Sequence, residues 1–181
     1  MSYATKQLAE NKLIILYLVD KMGIPLSQSE ICQFMLDKEL ADYFTIQGYI
    51  SELVETKYLE QTKENNTTRY VITDDGIEVL SFFIEYISPS NKQAINSFVH
   101  DNNKRIRMEY EITANYFLEL NDEFLVKCGV YESDGMTMME LNVMVPSQAQ
   151  AKAIVQNWKK NVSTLYKSIL TSLVEEDTEN K

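Results

Sequence analysis

The sequence predicts an α+β protein built in two parts, and three observations carry that expectation. Apolar residues recur at helical spacing in four stretches between Lys6 and Phe83, with a hairpin pattern between the third stretch and the fourth. From Ile106 to Val145 apolar and polar residues instead alternate, in three runs separated by turn residues. From Ser147 to near Glu175 the helical spacing returns. Pro89, in Ser88-Pro89-Ser90, ends one element and permits another to start, so the boundary is expected there, with a first domain over 1–87 and a second over 88–181.

The first helix, from Lys6 to Lys21, carries Leu8, Leu13, Ile14, Leu16, Tyr17 and Leu18 around more than half of its circumference, the pattern of a helix covered on several sides. Gly23 and Pro25 stop it. Ser27 then caps a second helix, with Glu30 three positions on at the capping-box spacing and Ile31, Phe34, Met35 and Leu36 as its buried face. After a turn near Leu40 to Tyr43, a third helix places Ile46, Ile50, Leu53 and Val54 on one face and leaves Gln47, Ser51, Glu52 and Glu55 opposite. Leu59 and the run Tyr70 to Ile72 are short apolar segments around a polar tip whose Asn65-Asn66 pair tolerates turn conformations, which reads as a hairpin. Thr73 and Asp74 offer side-chain oxygens to the first amides of a fourth helix carrying Ile77, Val79, Leu80 and Phe83.

In the second part a helix is expected from Pro89 to near Asn103. Ile106, Met108, Tyr110, Ile112, Ala114, Tyr116 and Leu118 then alternate with Arg107, Glu109, Glu111, Thr113 and Asn115, which predicts one long strand. Phe124, Val126, Cys128 and Val130 predict a second, and Met139, Leu141, Val143 and Val145 a third, joined by turns at Asn121-Asp122 and Ser133-Asp134-Gly135. The last helix bears Ala151, Ile154, Trp158, Val162, Leu165, Ile169 and Leu173 in one stripe. At ~1.5 Å per residue it is about 40 Å long, more than three strands can cover, so the excess apolar surface predicts a homodimer formed through this domain.

Helix, helix, helix, hairpin, helix is the order of a winged helix-turn-helix, a nucleic-acid-binding architecture. On that framework Gln47, Tyr49 and Ser51 face bases, and Gln47 is able to read adenine bidentately in the major groove. Thr45 and Lys57 meet the flanking phosphates, and Lys63 and Arg69 lie in the wing. Through Leu8-Ala9-Glu10-Asn11-Lys12-Leu13, Tyr43-Phe44-Thr45, Ser51-Glu52-Leu53-Val54, Arg69-Tyr70-Val71-Ile72-Thr73, Gln150-Ala151 and Asn157-Trp158-Lys159, the chain resembles an uncharacterised bacterial winged-helix family, a domain of unknown function. Its first half is similar to repressors of the MarR and PadR type, through the strand, Thr, Gly and helix junction from Arg69 to Gly76. The resemblance to repressors implies a dimer whose third helix enters the major groove and whose wing touches the backbone. The expected function is therefore that of a transcriptional regulator binding double-stranded DNA, with the second domain serving dimerisation or effector sensing.

Charge argues for an alternative. The net charge is −10 with a pI near 4.6, and residues 1–88 hold seven basic side chains against fourteen acidic ones. No Arg or Lys occurs between Lys38 and Lys57, whereas phosphate neutralisation supplies most nonspecific DNA affinity. The alternative is a winged-helix module that binds a protein partner through an acidic surface and does not bind DNA. Enzymatic chemistry is not expected, because no glycine-rich phosphate loop, nucleophile elbow or paired nucleophile and base is present. Asp74-Asp75 reads as a helix start rather than a catalytic dyad. Glu109, Glu111 and Glu140, with Arg107 and Lys127, read as the wet face of the sheet. Cys32 and Cys128 sit among apolar neighbours, and His100 stands alone, so neither a metal site nor a cofactor is expected. No apolar run reaches the ~18 residues of a membrane span and no secretory signal opens the chain, which places the protein in the cytoplasm.

Overall fold

The computed structural model describes residues 3–64 and 67–174. It is a mixed α+β structure with six α-helices and two small antiparallel sheets among the described residues. The chain divides into two compact units, Met1–Arg107 and Met108–Lys181.

In the first unit α1 (Tyr3–Met22) is central: every residue from Leu13 to Val19 is buried. Seven consecutive buried positions turn every face of a helix inward, which the sequence pattern anticipated. Asn11 is buried beside them and is satisfied, since its amide donates to the Leu40 carbonyl at 2.9 Å. The two-residue strand β1 (Leu26–Ser27) leads into α2 (Gln28–Asp37). The expected capping box is formed: the Glu30 N–H donates to Ser27 Oγ at 3.3 Å, and the Ser27 N–H donates to Glu30 Oε2 at 2.6 Å. Helix α3 (Tyr43–Glu55) starts at Asp42. Strands β2 (Leu59–Glu64) and β3 (Thr67–Ile72) pair from Leu59↔Ile72 to Glu64↔Thr67, and β1 adds to β3 through Leu26↔Tyr70 and Ser27↔Arg69, giving the order β1-β3-β2. The turn expected at Asn65-Asn66 lies outside the described residues.

Helix α4 (Asp74–Phe83) begins at Thr73, whose Oγ1 accepts from the Gly76 N–H at 3.0 Å while its hydroxyl donates to the Lys57 carbonyl at 2.7 Å. One threonine thus fixes the start of α4 to the chain between α3 and β2. Gly76 is required there, because a Cβ would run into the Tyr58 carbonyl. A short 3₁₀ turn (Ile84–Tyr86) follows, and then α5 (Pro89–Glu111).

One expectation is corrected here. The strand expected from Ile106 starts only at Ile112, since Ile106–Glu111 continue α5. Ile106 and Tyr110 are four apart, a spacing shared by both periods, and both are buried; Met108, which a strand would bury with them, is 46 % exposed. Arg107, Glu109 and Glu111 therefore belong to the helix and not to a sheet face. The compact units divide at 107/108. Pro89 does start a helix as expected, but that helix packs into the first unit: Phe98 meets Phe34 edge-on at 5.2 Å between ring centroids, and the Asn103 amide donates to the Met22 carbonyl at 3.3 Å.

The second unit is a three-stranded meander, β4 (Ile112–Leu118), β5 (Phe124–Tyr131) and β6 (Thr137–Val145), covered by α6 (Gln148–Val174). Registers such as Ala114↔Cys128↔Leu141 and Tyr116↔Val126↔Val143 put one alternating set of side chains on the helix side. Ala114, Val126 and Cys128 pack there with Ala151, Trp158 and Val162. Lys127 and Glu140 lie on the opposite face, where the Tyr131 hydroxyl donates to Glu140 at 2.9 Å. The cover comes from the first half of α6; Leu165, Leu170, Leu173 and Val174 beyond it are exposed. No described helix is long and apolar enough to cross a membrane.

Candidate nucleic-acid interface

Helix α3 owes its start to Asp42, whose Oδ1 accepts from the N–H groups of Phe44 and Thr45 at 3.0 and 3.1 Å. The Thr45 hydroxyl donates to Asp42 Oδ2 at 2.5 Å. The Thr45 hydroxyl first, and the backbone N–H groups with it, hold the Asp42 carboxyl below the ordinary carboxylate range. A lowered folded-state pKa means that the cap's contribution is present above the ordinary value and is lost as pH falls through the lowered one.

The inward stripe of α3 is Ile46, Tyr49, Ile50 and Leu53, the positions i, i+3, i+4 and i+7. The outward strip is Phe44, Gly48, Ser51 and Glu55. Phe44 is 81 % exposed and meets the Tyr43 ring edge-on at 5.8 Å, and a Cβ added at Gly48 would stand in open space. Three of those four positions carry no charge. On one flank Glu52 is held in an ion pair by Lys12 of α1.

The end of α3 is a Schellman closure, in which the Lys57 N–H donates to the Val54 carbonyl at 3.0 Å and the Tyr58 N–H to the Leu53 carbonyl at 2.9 Å. Lys57 occupies the left-handed position with φ 61°, where glycine is the unstrained residue. Helix α2 closes in the same way, with Glu39 at φ 53° and the Leu40 N–H donating to Met35 at 3.0 Å. Both side chains are exposed.

Of the residues expected to meet DNA, Ser51, Lys57 and Lys63 are exposed, and Thr45 and Gln47 are half-buried. Thr45 is committed to the cap. Tyr49 and Arg69 depart from expectation. Tyr49 is 7 % exposed because it completes the inward stripe, so it is not placed to face a base. Arg69 points away from the hairpin tip: its guanidinium donates to the Pro25 carbonyl at 3.0 Å and to Glu30 at 3.4 Å, with 11 % of its side chain exposed. The cause is the pairing of β1 with β3, which sets Ser27 opposite Arg69 and brings the α2 cap under its guanidinium. Phe44 and Gly48 were missed, although they stand four apart and opposite the apolar stripe. Burial pushes the thiols of Cys32 and Cys128 up, which suits small core side chains. His100 is exposed beside Asp101, and the described residues hold no cluster of three or more His, Cys, Asp or Glu able to bind a metal.

A family model described as Domain of unknown function (DUF4364) matches residues 11–173, and the chain belongs to that family. No curated protein and no solved structure matches the chain.

Proposed function

For this member of that family, we propose that the first unit is a winged helix-turn-helix that binds double-stranded DNA, with α3 as the recognition helix and the β2–β3 hairpin as the wing. The order α1-β1-α2-α3-β2-β3, with β1 paired to β3, supports the architecture. The observation that carries the reading is the uncharged, uncovered strip of Phe44, Gly48 and Ser51, with Gln47 beside it and the exposed Lys57 and Lys63 beyond. A groove admits these three positions without desolvating a carboxylate, Glu55 standing at the far end of the strip, and a glycine allows close approach. Gln47 and Ser51 contact base edges; Lys57 and Lys63 contact phosphates. The second unit joins two copies through the apolar residues left exposed on the C-terminal half of α6, so that two recognition helices meet two half-sites. The protein acts as a regulator of transcription.

Anisotropy of a labelled random-sequence duplex at low salt tests the reading. Two lysines per protomer predict a shallow salt dependence, a slope of log K against log salt of about −2 per protomer. Ser51→Glu should abolish binding, Lys63→Ala should weaken it about equally on all sequences, and Gln47→Ala should relax preference at one position. Lys57→Gly separates function from stability. It should raise stability by about 1 kcal/mol in urea denaturation, by relieving the left-handed strain, while weakening DNA binding. Glu39→Gly should give a similar gain, about 1 kcal/mol, with no loss of DNA binding. Wild-type protein that fails to bind at low salt would reject the reading.

A second reading is favoured by the charges around the strip. Asp42, Glu52 and Glu55 lie on α3 or at its start, and Arg69 is turned to Glu30. That arrangement suits an acidic docking surface for a basic protein partner. Under it, Glu55→Lys weakens the partner; under the first reading it strengthens DNA binding.

A further inference from the structure

We propose that the apolar cavity between α1, α3 and α4 is a binding site for a small amphipathic monocarboxylate, an apolar body carrying one acid group. The cavity measures about 280 Å³. Leu13 and Leu16 of α1, Leu53 of α3, and Val79 and Phe83 of α4 make its walls, and Phe83 extends the aromatic surface edge-on to Tyr86 at 5.8 Å. Pockets of this kind, mostly apolar with few polar groups, are the usual setting for small-molecule recognition. Its volume suits one or two rings or a medium-length chain better than a peptide segment.

Charge selects the head group. Among the described residues Lys12 is the one charged residue of the lining, and its ammonium is held by Glu52. A ligand carboxylate entering the cavity takes the ammonium as partner while the apolar body meets the leucines. A cation would oppose Lys12, and a dianion would keep one charge unpaired against an apolar wall. The single ammonium therefore specifies a single negative charge. The cation is already engaged, so the ligand competes with Glu52 and leaves that carboxylate unpartnered beside Ser51. This consequence rests on the DNA reading: the released charge on α3 would weaken DNA binding, which makes the ligand an effector.

The site is tested without DNA by calorimetric titration of the full chain with 2-naphthoate and its neutral counterpart 2-naphthamide. Naphthoate should bind about three- to five-fold more tightly than the amide, the weight of one partly exposed ion pair. Lys12→Met keeps the aliphatic stem and should erase that preference without altering amide binding. Glu52→Gln removes the competitor and should tighten naphthoate about five-fold, leaving the amide unchanged. Val79→Trp should abolish both, with Ala9→Phe as a second way of filling the cavity if the first variant unfolds. Absence of naphthoate binding, equal binding of acid and amide, or indifference to Glu52→Gln overturns the proposal. Naphthoate added to the anisotropy assay then reads the coupling; if the protein binds no DNA, the calorimetric result stands on its own and only the effector role is lost.

Discussion

Arg69→Ala should lower the stability of the protein by about 3–5 kcal/mol, the cost of leaving one member of a buried ion pair alone. The side chains of Arg69 and Glu30 are 11 % and 9 % exposed, and the same guanidinium satisfies the Pro25 carbonyl. Removing it strands the Glu30 carboxylate at the start of α2, where the Ser27 N–H and hydroxyl are the donors that remain among the described residues. The junction of β1, α2 and β3 loosens as a result. Urea denaturation followed by far-UV circular dichroism measures the loss. Arg69→Lys should recover little, because a point charge does not reach two acceptors in the way a planar fork does. Pairing Arg69→Met with Glu30→Gln should recover much of it, since the stranded charge is then gone. The sequence alone suggests the opposite experiment, a wing arginine whose loss weakens DNA binding and spares the fold. A small shift in the urea midpoint together with a large loss of DNA affinity would restore that view.

What the sequence made legible was local. The Ser27 and Glu30 box and the Thr73 cap each join positions three apart, and both form as their spacing predicts. The stripes of α1, α3 and α6 are periodic over several turns, so existence and facing were readable. Non-local pairing was not. β1 is two residues long and leaves no alternation to read, yet it turns Arg69 inward, and the contact with Pro25 spans 44 positions. The segment from Ile106 to Glu111 misled for a different reason: Arg-Met-Glu-Tyr alternates by chance in a stretch whose residues also favour helices, and only the exposure of Met108 separates the two periods. For Tyr49 the signal was present. It lies three residues after Ile46 and four before Leu53, inside the apolar stripe, and its phenol lent it to a polar reading. Phe44 lies outside that stripe and is 81 % exposed, so the apolar period gave no reason to single it out.

Trp158→Ala should cost about 3–5 kcal/mol, the usual range for emptying a large aromatic site in a core. Trp158 is buried in the core of the second unit, in one cluster with Ala114, Val126 and Cys128 of the sheet and Ala151 and Val162 of its own helix. Ala114 and Ala151 are too small to refill the space, so the cavity persists and the penalty stays near the top of the range. Trp158→Phe should behave differently. The indole N–H is buried and meets no acceptor among the described residues, and a buried unpaired donor costs about 1–3 kcal/mol. Phenylalanine removes that donor at the expense of a smaller void, so the two terms offset and the variant should lie within about 1 kcal/mol of the parent. Far-UV circular dichroism in urea is the suitable readout, because the chain has a single tryptophan and its fluorescence leaves with it. If Trp158→Phe proved as damaging as Trp158→Ala, the N–H would have to be satisfied, and the stability of this unit would rest on a polar contact at its centre.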